Sequence, residues 1–588
     1  MDAMPIPADR YVHALLQSLR HAGVRHVVIA PGSRNTPITV AVTASTSPFR
    51  TWLHLDERSA AYFALGLARQ MGEPVAVVCT SGTAAANFLP AAVEARLSRV
   101  PLIFLTADRP PEARDIGAAQ TVDQVGLFGS HVKWAVDMPP ADEGAARELE
   151  RYARVTAARA AAVALEAPRG PVHLNMPFRE PLVEAGAMPP VILDGPLVTH
   201  PAEAAPSAAV VAHLAEVCAG RRGLVVCGPE SAGLPAAAIV ALARVLGWPV
   251  IADPLSGLRA GPHDRTDVID CADVIVRVPE ALSALPEVLL RFGAAPTSKP
   301  FNQWLAGQPG VRRILVEEGG IATAGWRDPD LQGDEVVPAS PRALCEALAA
   351  ALSTNAPVPS GWAALWRAAN AAAREAMREA IAGFEDPFEG QAVLDLRAAL
   401  PSGSTLVAGN SMPVRDIDSF FFNTESDIRI VGTRGASGID GVTSTAVGAA
   451  AAGGGPVALL IGDLSFLHDV NGLWPAHRYG LNLTIVLVNN QGGGIFSFLP
   501  QRQAVPDRFD AWWGTPHGVD LRHAVALHHG RHAVLDAGDQ REAIAGALAR
   551  PGLDVLELRT ERDRNVAQHG IVWARGAEAV RGALAAHA

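Results

Sequence analysis

Two short loops carry the residues best suited to metal chemistry, and each follows a buried apolar run. They are IGDLS at 461–465 and VNNQGGG at 488–494. Asp463 supplies a hard carboxylate, Asn490 a neutral amide oxygen and the Gly492 turn a backbone carbonyl. A diphosphate and water complete the all-oxygen octahedron that Mg2+ demands. A helix starting at GDLS would aim its first amides at the diphosphate. Either loop alone reads more simply as a turn aspartate or an Asn-Gly-rich turn. Together, on strands adjacent in sequence, they favour the metal–diphosphate reading. The sequence has no GxxxxGK[ST] P-loop, and GASGIDG at 435–441 is too weak a pattern for a dinucleotide fingerprint.

A second signal is LHLDERSAAYFALGLARQMG at 53–72, where Glu57 opens an Ala-rich amphipathic helix. Alone, such a residue is an ordinary carboxylate favoured by the helix dipole. A third signal is spread over six loops after predicted strands: APGSRNTP, TADRPPE, GAAQTVDQ, TSKPFNQW, GNSMPVR and GTRGASG. They contribute Ser33, Arg34, Arg109, Gln120, Lys299, Ser411, Arg415 and Arg434. Taken singly, most arginines are solvated or paired with surface carboxylates. Six strand-end loops offering anion donors in a chain of net charge −11 point instead to bound carboxylates, which guanidinium forks grip in a bidentate way.

The elements that must hold these loops read as α/β units. HVVIAPG, PVAVVCTSG and PLIFLTAD alternate with Ala-rich helical stretches. GLVVCGP, WPVIADP and DVIVRV repeat the style, as do STLVAGNS, PVALLIGD and LTIVLVNN. Pro-rich connectors at 188–207 and 353–361 divide the 588 residues into three domains of ordinary size. The first and third domains resemble each other: 74–108 lies over 456–490 without a gap, Ser81 opposite Asp463 and Asp108 opposite Asn490. Any two strand–helix–strand units look alike, but a gap-free match over two strands and a helix favours duplication.

Composition narrows the function further. A net charge of −11 disfavours nucleic acid or an anionic membrane as main partner. Five cysteines with no CxxC pair indicate neither a disulfide framework nor a zinc ribbon, and the start MDAMPIPADR shows no signal-peptide pattern, so a cytoplasmic location is expected. The long uncharged stretches near 75–93, 441–461 and 481–504 switch from strand-like to helix-like pattern at Gly, Pro, Asn or Ser. They fit buried α/β units better than membrane spans.

The Asp463–Asn490 arrangement resembles the diphosphate motif of thiamine diphosphate enzymes. The usual third residue of that motif is Gly; here it is Leu464, and the GDLS form is similar to that of the menaquinone-pathway synthase branch. The resemblance covers essentially the whole chain. It implies an α/β fold of three domains, each a mostly parallel sheet flanked by helices: 1–187 binding the pyrimidine, 200–352 central, and 362–588 binding the diphosphate. It implies thiamine diphosphate with Mg2+, or Mn2+ in its place, and a homo-oligomer, dimer or tetramer, with sites shared between subunits.

Residue by residue, Glu57 matches the glutamate that hydrogen-bonds the aminopyrimidine and so starts the reaction. Ser411, Asp463, Leu464, Ser465, Asn490, Gly492, Gly493, Ile495 and Phe496 match the remaining cofactor contacts, with Asp463, Asn490 and Gly492 on the metal. Ser33, Arg34, Arg109, Gln120 and Lys299 match the isochorismate side, and Ser411, Arg415 and Arg434 the 2-oxoglutarate side. Leu499, in the apolar run Ile495–Pro500, borders thiazolium and substrates. Ala119 departs from relatives that carry Asn before the glutamine. The implied reaction is decarboxylation of 2-oxoglutarate and conjugate addition of the succinyl unit to isochorismate. Two alternatives stay open: an acetolactate synthase-like enzyme or 2-oxo acid decarboxylase, and a non-catalytic anion-binding regulator on the same fold.

Overall fold

Among the described residues the buried apolar runs become eighteen strands in three parallel sheets, with one exception. DVIVRV at 273–278, expected to be strand-like, forms helix Ala272–Ile275 and the turn after it, its backbone N–H groups bonding locally to the Cys271 and Ala272 carbonyls instead of to a neighbouring strand. The computed structural model describes residues 7–183, 197–278, 285–319, 326–352, 361–536 and 538–587. Residues 188–196 of the first predicted connector and 353–360 of the second lie outside these. Contacts divide the chain into two compact units: one comprises 1–202, 433–453 and 468–481, the other 203–432, 454–467 and 482–588.

The first unit holds β1 (His26–Ile29), β2 (Arg50–Leu53), β3 (Val75–Cys79), β4 (Leu102–Asp108), β5 (Trp134–Asp137) and β6 (Val172–Pro177), in the order β2-β1-β3-β4-β6-β5. The second unit holds two sheets. One contains β7 (Gly223–Cys227), β8 (Val250–Ala252), β9 (Val268–Ile269), β10 (Val288–Phe292), β11 (Arg312–Glu317) and β12 (Glu335–Pro338). Its order, β12-β11-β10-β7-β8-β9, is that of a doubly wound nucleotide-binding sheet.

The other contains β13 (Ser404–Ala408), β14 (Ile428–Gly432), β15 (Val457–Gly462), β16 (Leu483–Asn489), β17 (Arg531–Val534) and β18 (Leu553–Arg559), in the order β14-β13-β15-β16-β18-β17. Counted from its own first strand, this is the order of the first sheet. The observed strands also keep the sequence offset to within a residue: Val75 and Val457 open β3 and β15, and Leu102 and Leu483 open β4 and β16.

All fifteen strand pairings among the described residues are parallel, with strands such as β3, β4, β15 and β16 buried along nearly their whole length. Parallel sheets are covered on both faces, which is why the strands read as continuous apolar runs. The three long uncharged stretches resolve into such strands and their flanking helices. No helix among the described residues is long and apolar enough to cross a membrane. All five cysteines are buried and unpaired.

Helix Glu57–Met71 is more buried than an amphipathic pattern predicts. Asp56 caps it, accepting the Ser59 N–H at 3.2 Å, and Gly72 ends it in a left-handed turn at φ +69°. Every residue from Ser59 to Arg69 is buried, because the side away from the sheet packs on helix Val442–Ala452 of the same unit. The two backbones nearly touch. A Cβ on Gly66 would sit 2.0 Å from the Thr445 carbonyl oxygen, and one on Gly448 2.0 Å from that of Phe63.

This crossing sets a test against ordinary helix propensity. In an open helix, Gly→Ala gains about 1 kcal/mol; against an immovable backbone, overpacking costs about 1–3 kcal/mol or more. Gly448→Ala should therefore lower the melting temperature by the equivalent of about 2 kcal/mol. Gly546→Ala, in helix Gln540–Leu548 with nothing within 4 Å of the new methyl, should leave it unchanged or raise it.

Candidate active site

Asp463 follows β15 and is the first residue of helix Asp463–His468, only 2% exposed. Its Oδ1 accepts the Leu464 N–H at 2.6 Å and its Oδ2 the Gly492 N–H at 2.9 Å, so the two predicted metal loops meet through this carboxylate. Among the described residues its one side-chain partner is His517, whose Nε2 lies 3.4 Å from Oδ2. Burial pushes the Asp463 carboxyl above the usual range, partly offset by the two N–H groups and His517. The helix spans only six residues, and its Leu464 amide is taken up by Asp463 itself.

On the facing loop, Asn490 Nδ2 donates to Glu389 Oε1 at 3.0 Å, while Asn490 Oδ1 is buried with no partner among the described residues. The glycines after it are needed for approach. Gly492 sits at φ +143°, and a Cβ there would lie 1.8 Å from the Gly514 carbonyl oxygen. One on Gly494 would strike the Asn490 amide at 2.5 Å. A divalent cation fits this set: it would offset the Asp463 charge and occupy the open Asn490 oxygen. No cluster of three or more His, Cys, Asp or Glu among the described residues offers a metal site of another kind.

The next stretch, Gly494–Phe498, becomes the wall of a cavity of about 300 Å3. Ile495, Phe498 and Leu499 join Met412 and Trp573 as its apolar side, and Lys299, Arg277 and Arg415 bring cations. Lys299 opens helix Lys299–Ala306 and makes no ion pair with a described residue. Arg277 is held by Asp273 at 2.9 Å and lies over the Trp573 ring at 4.2 Å. Asp416 turns away to His569, 3.0 Å distant, a ring enclosed by Phe388, Phe420, Phe498 and Trp573. Burial alone would lower the His569 ring; its bond to Asp416 and that carboxylate's charge reverse this and raise it.

Arg415 lies one turn into helix Met412–Phe420 and donates to the Ser411 carbonyl at 2.5 Å. Ser411 is strained: its φ of +70° with ψ −126° belongs almost solely to glycine. Its hydroxyl does not cap the helix. A wider cleft of about 1140 Å3 in the same unit is also rich in arginine, but those groups are committed. Arg367 pairs with Asp267, Arg374 with Asp270, and Arg397 with the carbonyls of Phe422 and Asn423.

In the first unit, the loops after β1, β3 and β4 gather Arg34, Arg109 and Gln120. Gln120, at φ +56°, donates to the Ser81 carbonyl at 2.9 Å and accepts the Ser81 hydroxyl on its own carbonyl at 3.0 Å. Arg34 is 5% exposed, donating to the Phe178 carbonyl at 3.0 Å and to Glu180 at 3.1 Å. Burial, then the neighbouring Arg109 charge, lower its pKa. The Nε atoms of both arginines are buried without partners among the described residues. Ser33 exposes its side chain beside them.

Glu57 is half-buried and makes no hydrogen bond or ion pair with a described residue. Arg434 lies on a loop of this unit anchored by Glu94, which accepts the N–H groups of Gly435 and Ala436 at 3.1 and 2.7 Å. In the second unit the structure joins Asp463 to Gly492 and collects Lys299, Arg415, Ile495 and Leu499 around one cavity, with Ser411 bonded to Arg415 through its carbonyl. Ser465 is buried, and Leu464, Gly493 and Phe496 flank the metal loops.

Sequence reading missed Glu389, Thr560, His517, Arg277, Asp416, His569 and Trp573. For most of them nothing local is a mark, since their partners lie far away in the chain; Arg277 has a local partner, Asp273, but its contact with Trp573 is distant. Glu389 is 1% exposed, and burial, then the nearby Asp416 charge, push its carboxyl up to about 7.

Comparison with known proteins assigns the class. The chain matches three domain models in order: "Thiamine pyrophosphate enzyme, N-terminal TPP binding domain" over 9–127, "Middle domain of thiamine pyrophosphate" over 197–407, and "Thiamine pyrophosphate enzyme, C-terminal TPP binding domain" over 422–558. Full-length relatives are more specific. A 2-succinyl-5-enolpyruvyl-6-hydroxy-3-cyclohexene-1-carboxylate synthase of Geobacillus kaustophilus (strain HTA426) is 46% identical, covering 96% of this chain and 97% of its own. Synthases of the same name from Chloroflexus aurantiacus and Listeria monocytogenes are 45% and 42% identical, covering 96% and 97% of this chain and 95% and 98% of theirs. The chain belongs to the 2-succinyl-5-enolpyruvyl-6-hydroxy-3-cyclohexene-1-carboxylate synthase family of thiamine pyrophosphate enzymes.

Strain at Ser411 yields a prediction. Glycine relieves a backbone cost of about 1–3 kcal/mol but removes the hydroxyl. Ser411→Gly should melt no lower than the parent while its turnover falls at least tenfold. A variant that lost stability and kept full turnover would make the serine structural only.

Proposed function

We propose that the chain decarboxylates 2-oxoglutarate with thiamine diphosphate and Mg2+ and adds the succinyl unit to isochorismate, a step of menaquinone biosynthesis. The observation that most supports this is the continuity of 490–499. The stretch carrying the open Asn490 oxygen runs straight into the wall of a cavity whose cations suit a dicarboxylate. The bound cofactor supplies a nucleophilic carbon and the electron sink for decarboxylation.

In this reading Asp463, Asn490 and the Gly492 carbonyl hold the metal, which ties down the diphosphate. Glu57 hydrogen-bonds the aminopyrimidine and holds the proton that activates the cofactor. Ser411, Arg415 and Arg434 grip 2-oxoglutarate, while Ser33, Arg34, Arg109, Gln120 and Lys299 receive isochorismate. The apolar side formed by Ile495, Phe498 and Leu499 keeps water from a carbanion-like centre.

The test supplies thiamine diphosphate, Mg2+ and 2-oxoglutarate, with and without isochorismate, and identifies products by mass. One molecule of CO2 per adduct is expected, and turnover of pyruvate alone would favour an acetolactate synthase-like enzyme. In the same assay, Arg415→Ala should impair mainly 2-oxoglutarate, by roughly 2–5 kcal/mol for a buried carboxylate that loses its fork. Arg109→Ala should impair mainly isochorismate. Equal effects on both substrates would overturn this division of the loops.

The same reading takes the active unit to be a homodimer or tetramer, Glu57 of one subunit serving the metal loops of another. Glu57→Gln should slow turnover about 10²–10⁴-fold, the range for lost acid–base catalysis, and Asp463→Ala should abolish it. Mixed under subunit exchange, the two variants should regain part of the activity, because a mixed dimer holds one intact site. An active monomer by sedimentation would contradict the shared site.

A further inference from the structure

We propose that Glu389 and Thr560 are positioning residues that set the orientation of the Asn490 amide and so present its oxygen to the metal; this rests on the metal reading of Asp463 and Asn490. Glu389 begins helix Glu389–Ala399 and is almost fully buried. Its Oε1 accepts two hydrogen bonds, from Asn490 Nδ2 at 3.0 Å and from the Thr560 hydroxyl at 2.9 Å. Thr560 follows β18 and is tied to the same loop from the other side, its N–H donating to the Asn489 carbonyl at 3.1 Å. The carboxylate is therefore anchored to the strand that carries the asparagine.

A side-chain amide has one donating and one accepting end, and a rotation of about 180° exchanges them. The Glu389 oxygen that faces the amide, Oε1, already accepts the Thr560 hydroxyl and so takes the NH2 end; turning the amide oxygen toward it would set two acceptors against each other. Asn490 Oδ1 is thereby forced to the opposite side, where it is buried and has no protein partner among the described residues. Asn489 is held in the same manner by a second buried carboxylate, its Nδ2 donating to Glu557 at 2.6 Å. Outer-shell groups that fix metal ligands typically contribute about 10–100-fold in metal affinity.

The experiment titrates Mg2+ by calorimetry into the full-length protein saturated with thiamine diphosphate, with apo-protein melting temperature as a second readout. Glu389→Gln keeps shape and burial but can face the amide either way round. It should weaken Mg2+ about tenfold without lowering the apo melting temperature. Thr560→Val, which leaves the carboxylate one anchor fewer, should weaken it less. Asp463→Ala serves as reference. If it loses Mg2+ while both other variants bind as the parent does, the positioning role is wrong and the metal site stands. If Asp463→Ala itself binds Mg2+ normally, the metal site lies elsewhere and the inference falls with it.

Discussion

A carboxylate buried at the end of a parallel strand is costly to keep charged, and the second unit is built around one. Asp463 is 2% exposed and meets two backbone N–H groups and one histidine, with no guanidinium or ammonium beside it among the described residues. Burial raises its pKa, so the native arrangement holds stored electrostatic cost that a bound cation would relieve. The neighbouring details serve that one need. Gly492 lets the facing loop come close, Gly494 makes room for the Asn490 amide, and Asn490 leaves an oxygen open.

The first sheet shows what the same topology does without that need. Its strand order matches, but Ser81 stands where the third sheet has Asp463, and Asp108 where it has Asn490. Ser81 simply closes onto the Gln120 carbonyl. Asp108 is paired with Arg114 at 2.9 Å and accepts a hydrogen bond from the Asn175 amide at 2.9 Å. One copy pairs its buried acid with a guanidinium, and the other gives its acid only a histidine and two backbone N–H groups among the described residues. The same strand order thus carries an arginine-bearing loop set in one sheet and, in the proposed reading, a cation-facing pair in the other.

Much of this was legible from residue order. Apolar runs between Gly and Pro turns marked the strands because both faces of a parallel sheet are covered. The gap-free offset foretold matching strands, and the loop motifs paired Asp463 with the Gly492 turn, but they placed Lys299 and Arg415 in different substrate groups and gave no sign that the two line one cavity. Other features could not be read locally. Helix Glu57–Met71 looked amphipathic, yet it is buried all round because small residues on two helices let backbones meet. Ser411 gives no sign of a left-handed φ, and nothing about Glu389 announces a partner 101 residues away. Such features depend on pairings across the fold that residue spacing does not encode.

The central claim is that the Asp463–Asn490 pair holds the metal end of the cofactor. The most direct measurement is a crystal structure grown with thiamine diphosphate and Mn2+, using anomalous scattering to locate the ion. The account predicts one strong peak at about 2 Å from an Asp463 carboxylate oxygen and from Asn490 Oδ1, within reach of the diphosphate. A peak away from these atoms, or an Asn490 amide turned with its nitrogen toward the ion, would contradict it.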